Sequence, residues 1–147
     1  MVDPIRVAAH IHGHAGWLAA AALVHPAILL RDPRRRAHLS VGLATGLATV
    51  AAALGAFIYP AYSAGLRHSI FVGAPQIGWL FERKEHLAFG AIVLVWTGAL
   101  AYVAAEQGKG DLRAALRTIA FRAFALATGL VVVVATLGTM VAVYKGF

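Results

Sequence analysis

The sequence predicts an all-α integral membrane protein, a four-helix bundle with both termini on the outer side. Three observations predict it. Of 147 residues, 61% are hydrophobic and only 13% are charged, with a mean hydropathy of +0.76. A soluble domain carries about twice that share of charge, and so few polar groups cannot cover a water-facing exterior. Four apolar stretches each approach the ~20 residues that a helix needs to cross ~30 Å of hydrocarbon. None shows the period-two alternation of an outer-membrane strand. A single transmembrane domain, residues 1–147, accounts for the length.

The helices are expected at about 4–30, 34–59, 84–106 and 112–144. Asp3-Pro4 and Asp32-Pro33 each place a capping residue before a proline at the first helical position. Asp111 caps the fourth helix after the breaker Gly108-Lys109-Gly110. The start lacks a basic region and histidines interrupt its apolar run, so a retained first helix is expected rather than a cleaved signal peptide. Tight turns at Arg31–Arg36 and Gln107–Gly110 make antiparallel neighbours. The one long connection, about 60–83, holds Tyr62, Phe71, Trp79 and Phe81, a composition suited to an outer interfacial loop.

Lys and Arg set the orientation. Eight lie at the two short turns and five on the other side, which puts the turns in the cytoplasm of a bacterial cytoplasmic (inner) membrane. The pI of about 10.6 then reflects contact with anionic membrane lipid, and the spans exclude a soluble nucleic-acid binder. Arg113, Arg117 and Arg122 read as the cytoplasmic anchor of the fourth helix. The absence of Cys excludes disulfides, thiolate metal sites, covalently attached c-type haem and Cys nucleophiles. The apolar stretches themselves, about 15–30, 39–59, 87–105 and 123–143, contain no Asp, Glu, Lys or Arg, which argues against a proton pump or ion-coupled transporter. Gly42 and Gly46 form a small-xxx-small pair that allows close helix approach.

Seven histidines, His10, His12, His14, His25, His38, His68 and His86, are then the feature to explain. At 100° per residue, His10 and His14 lie about 40° apart and His25 about 20° further round, so the three share one face while His12 points elsewhere. That face is expected to meet the bundle interior. His14 and His86 sit at matching outer depth on two helices, and two facing imidazoles suit a six-coordinate haem iron. His25 and His38 form a second pair of the same kind nearer the cytoplasmic side, and Arg67, Arg83 and Lys84 are placed to neutralise haem propionates. His10, His12 and His14, with His86, are the ligands of an alternative outer-facing Cu or Zn site, although only a strand would bring the first three rings together.

On His14, His25, His38 and His86 the chain resembles the four-helix bacterial membrane b-type cytochromes, which hold haem non-covalently between histidines on different helices. The resemblance covers the helical part of the chain. It departs from the diheme pattern of two helices with two histidines each, because the third helix has Thr97 where a mate for His25 should be. It implies one haem b, or two if His25 and His38 also ligate. The expected function is electron transfer between the quinone pool, or a membrane partner, and an outer-side acceptor. The alternatives are a cofactor-free accessory or assembly subunit of a larger membrane complex, and the Cu/Zn-binding protein. No nucleophile or acid–base constellation is visible, so no chemistry beyond redox is expected.

Overall fold

The computed structural model describes residues 4–145, with side chains as far as Val143. It is all-helical. Four helices, α1 (Pro4–Leu29), α2 (His38–Gly65), α4 (Pro75–Gln107) and α5 (Gly110–Lys145), are long and apolar enough to cross a membrane, and a short α3 (Arg67–Gly73) lies between α2 and α4. Sequence-adjacent spans run antiparallel. α1 packs on α2 and α5, α4 packs on α5 and more lightly on α2, and α1 and α4 stand across the bundle from each other. One end of this up-down-up-down bundle carries α3 and both chain ends, and the other carries the two short turns. The outer faces are apolar: Leu39 is 82% and Phe89 72% exposed, as a lipid-facing surface requires.

Three boundaries differ from the sequence expectation. The stretch 60–83 is helical almost throughout, because α2 continues past Pro60 to Gly65 and α4 begins at Pro75. An apolar helix tolerates an internal proline where neighbours re-satisfy the freed backbone, whereas Pro75 starts α4, where a missing N–H costs nothing. α2 begins at His38 rather than near residue 34. Asp32 does not cap it; its carboxylate accepts from the backbone N–H of Arg34 at 2.9 Å and closes a local turn instead. Asp111 lies inside the first turn of α5, after Gly110 at φ 53°, where its charge still complements the helix dipole. Asp3 lies outside the described residues.

Packing is concentrated at the turn end. Leu23 and Leu30 of α1, Val41 and Ala44 of α2, Val95 and Tyr102 of α4 and Phe124 of α5 form one buried cluster. The backbones of α4 and α5 come so close there that a Cβ on Gly98 would meet the Phe124 ring at 2.9 Å. Tyr102 Oη accepts from the backbone N–H of Ala37 at 3.0 Å, satisfying a donor that the start of α2 would otherwise bury unpaired. Arg117 is 5% exposed, not lipid-facing: it donates to the carbonyls of Asp32 and Arg35 and pairs with Glu106. A second, smaller cluster of Tyr62, Ile70, Phe81 and Val141 closes the termini end. Gly42 and Gly46 face outward with no atom near a would-be Cβ; the inward face of α2 is instead the stripe of Val41, Ala44, Ala48 and Ala51.

Candidate functional site

Between the two packed clusters the bundle forms a partly open cavity of about 1050 Å³, at the upper end of the ~300–1,000 Å³ found for small-molecule sites. Its wall on α1 runs from Ile5 to Ala19, about 21 Å of helix axis. The space exists because the facing positions are small. Gly13 and Gly16 of α1, Ala51 and Gly55 of α2, Ala91 of α4 and Gly138 of α5 meet across a gap their side chains cannot fill.

His12 lines this cavity, half-buried. Its Nδ1 lies 2.9 Å from the carbonyl oxygen of Ala51. A carbonyl can only accept, so Nδ1 carries the proton and Nε2 carries the lone pair of a neutral imidazole. Nε2 has no partner among the described residues. The ring sits against Gly55, where a Cβ would approach His12 Cε1 to 2.9 Å, so this glycine makes the seat for the imidazole. A ring held through Nδ1 on a backbone carbonyl, with the other nitrogen uncommitted, is the arrangement of an oriented metal ligand.

The wall contributed by α4 carries charge. Lys84 is 7% exposed and Glu85 half-buried, both lining the cavity, with Lys84 Nζ 2.6 Å from Glu85 Oε1. The ammonium also lies 4.6 Å from the centre of the Phe81 ring, which stacks on Tyr62 at 3.8 Å. Because α4 starts at Pro75, Lys84 and Glu85 lie nine and ten residues inside a spanning helix. Both stand just before the apolar run that opens at Leu87, on the termini side of it. Arg6 of α1 also borders the cavity.

The remaining histidines are elsewhere. His14 is exposed, and its Nδ1 donates to the His10 carbonyl at 2.8 Å; His86 is exposed, and its Nδ1 donates to the Glu82 carbonyl at 2.7 Å. They stand on diagonal helices, and His86 does not line the cavity, while His10 and His14 line it with exposed side chains. His25 shares a hydrogen bond with Ser40 Oγ at 2.9 Å, whereas His38 pairs with Glu106 at 3.5 Å and sets its ring edge-on to Tyr102. The two are thus held by different partners. Arg67 pairs with Glu82 at 2.9 Å, and Arg83 and His68 are exposed. Along the α1 helix His10, His12 and His14 diverge, and no three His, Asp or Glu side chains among the described residues form a metal-binding group.

The sequence did hold the signal for His12. Positions 12, 16, 19, 23, 26 and 30 step by four and three, and Ala19, Leu23, Pro26 and Leu30 in that series are all buried. His12 continues the inward stripe, while the face shared by His10, His14 and His25 is the outward one. No protein-family model, curated protein or solved structure matches this chain.

Proposed function

We propose that the protein is a b-type cytochrome of a bacterial cytoplasmic membrane, carrying electrons between the quinone pool or a membrane partner and an acceptor on the side of its termini. The observation that supports this reading is His12, an imidazole fixed on the Ala51 carbonyl with Nε2 uncommitted at the wall of a cavity of about 1050 Å³. One haem would be held through the uncommitted Nε2 of His12, rather than by His14 and His86. A bound haem b supplies one-electron transfer at its iron. The chain's part is to hold the ring plane with His12, exclude water with alanine, valine and isoleucine walls, and place a cofactor edge near the termini end.

The test is a reduced-minus-oxidised spectrum of the protein purified in mild detergent after expression with ample haem. A Soret band that shifts on reduction, with the broad visible absorption of a haem held by one imidazole, and about one haem per chain are expected. A folded protein with no Soret band overturns this reading. It favours a cofactor-free accessory subunit, for which the outward Gly42 and Gly46 offer a surface for close helix packing. Gly55→Ala forces the His12 ring off its seat, so haem affinity in a Soret titration is expected to fall about tenfold, the equivalent of ~1.4 kcal/mol.

A further inference from the structure

Lys84 is an unusual residue to find on the wall of an intramembrane cavity. An ammonium at membrane depth costs about 2.5–3.5 kcal/mol even by the lower scale, so it persists where it meets compensating groups or serves a ligand. Among the described residues its only anionic partner is Glu85. That pair is one residue apart on a helix, and side chains at i and i+1 project about 100° apart. Lys84 passes over Gly138 of α5, where even a Cβ would lie 3.7 Å from its Cδ, so a small residue opposite gives its stem room. An ammonium carries three donors. Glu85 takes one, and the Phe81 ring attracts the charge without accepting a conventional hydrogen bond.

The cavity is therefore asymmetric. Towards the termini end its wall holds two cations, Arg6 of α1 and Lys84 of α4, one carboxylate, Glu85, and the imidazoles of His10, His12 and His14, whereas towards the turn end it is alanine and aliphatic side chains such as Ala19, Ala48, Ala91, Ile92 and Val95. We infer that the cavity takes an amphiphile bearing a carboxylate, and that this group displaces Glu85 from Lys84. In this mechanism Glu85 is a resident competitor that neutralises the ammonium while the site is empty. The inference rests on the cavity being a ligand site, as the haem reading requires. A haem propionate and the carboxylate of an acyl chain offer the same chemistry, and the experiment separates them.

Purified full-length protein in mild detergent is titrated with hemin and with hemin dimethyl ester, followed at the Soret band. In parallel, oleate and oleyl alcohol compete against a fluorescent acyl probe. Lys84→Gln is expected to weaken the carboxylate ligand about tenfold or more, as loss of a charge-assisted hydrogen bond does, and to leave the ester or alcohol unchanged. Lys84→Arg retains most of the affinity. Glu85→Gln is expected to tighten carboxylate binding several-fold, which a purely structural role for the pair does not produce. The double variant Lys84→Gln/Glu85→Gln, which buries no charge, serves if either single variant misfolds, and it binds acid and ester alike. This pattern with hemin supports the inference together with the haem reading. The same pattern with oleate and no Soret band supports the carboxylate anchor and removes the haem. Affinities indifferent to Lys84 and Glu85, or no binding of either acid, overturn the inference.

Discussion

Replacing His12 with Ala is expected to abolish the haem spectrum, whereas His14→Ala and His86→Ala leave it intact. The reason is positional. His12 is the ring that lines the cavity with Nδ1 already donated to Ala51, so the substitution deletes both the ligand and its orientation. His14 and His86 each donate Nδ1 to a carbonyl four residues back on their own helix, on exposed faces of helices that stand across the bundle. Losing His86 removes nothing from the cavity, and losing His14 removes only an exposed part of its lining whose Nδ1 is held on its own helix. Adding imidazole to His12→Gly is expected to restore a Soret band, because the deletion leaves a space of ligand shape beside an unfilled carbonyl acceptor. Retention of full haem by His12→Ala, with loss in His14→Ala or His86→Ala, returns the site to the outer pair and overturns the His12 assignment.

The fold was legible because hydropathy dominates it. Each of the four spans announces itself by length and apolarity alone, and no tertiary contact is needed to find them. The connection at 60–83 was not legible, since Pro60 reads as a stop and only the packing of Tyr62, Ile70 and Phe81 on Val141 reveals a continuing helix. The site was half legible. Histidine was the right residue type, but a shared helical face says only that residues point the same way, not whether that way is inward. The direction was set by Ala19, Leu23, Pro26 and Leu30, whose spacing extends back through Gly16 to His12. The burial of Lys84 was hidden for a related reason: with α4 starting near residue 84 it belonged to a rim beside Arg67 and Arg83, and with α4 starting at Pro75 it lies nine residues inside the helix.

Arg117 carries the largest structural effect expected of any polar side chain outside the cavity, and the sequence grouped it with Arg113 and Arg122 as an anchor of the fourth helix. Its side chain is 6% exposed and ties three elements together: Glu106 of α4 at 3.3 Å, the turn carbonyls of Asp32 at 3.2 Å and Arg35 at 3.0 Å, all from α5. Arg117→Met takes the side-chain donor from the Arg35 carbonyl, leaves the Asp32 carbonyl with only the Arg35 N–H, and removes the most buried partner of Glu106. Breaking one side of a buried ion pair costs about 3–5 kcal/mol. Glu106 keeps Arg113 and His38, each at 3.5 Å, so the lower end, about 3 kcal/mol, is expected. Arg113→Met is the control. That side chain is 47% exposed, and a solvent-accessible pair is worth at most about 1 kcal/mol. Arg117→Lys is expected to fall between them, because a single ammonium cannot span the carboxylate and two carbonyls as the guanidinium fork does. Unfolding in mixed detergent, read by helical circular dichroism, ranks the three. Equal stability for Arg117→Met and Arg113→Met contradicts the buried clamp and returns Arg117 to a plain anchor of the fourth helix.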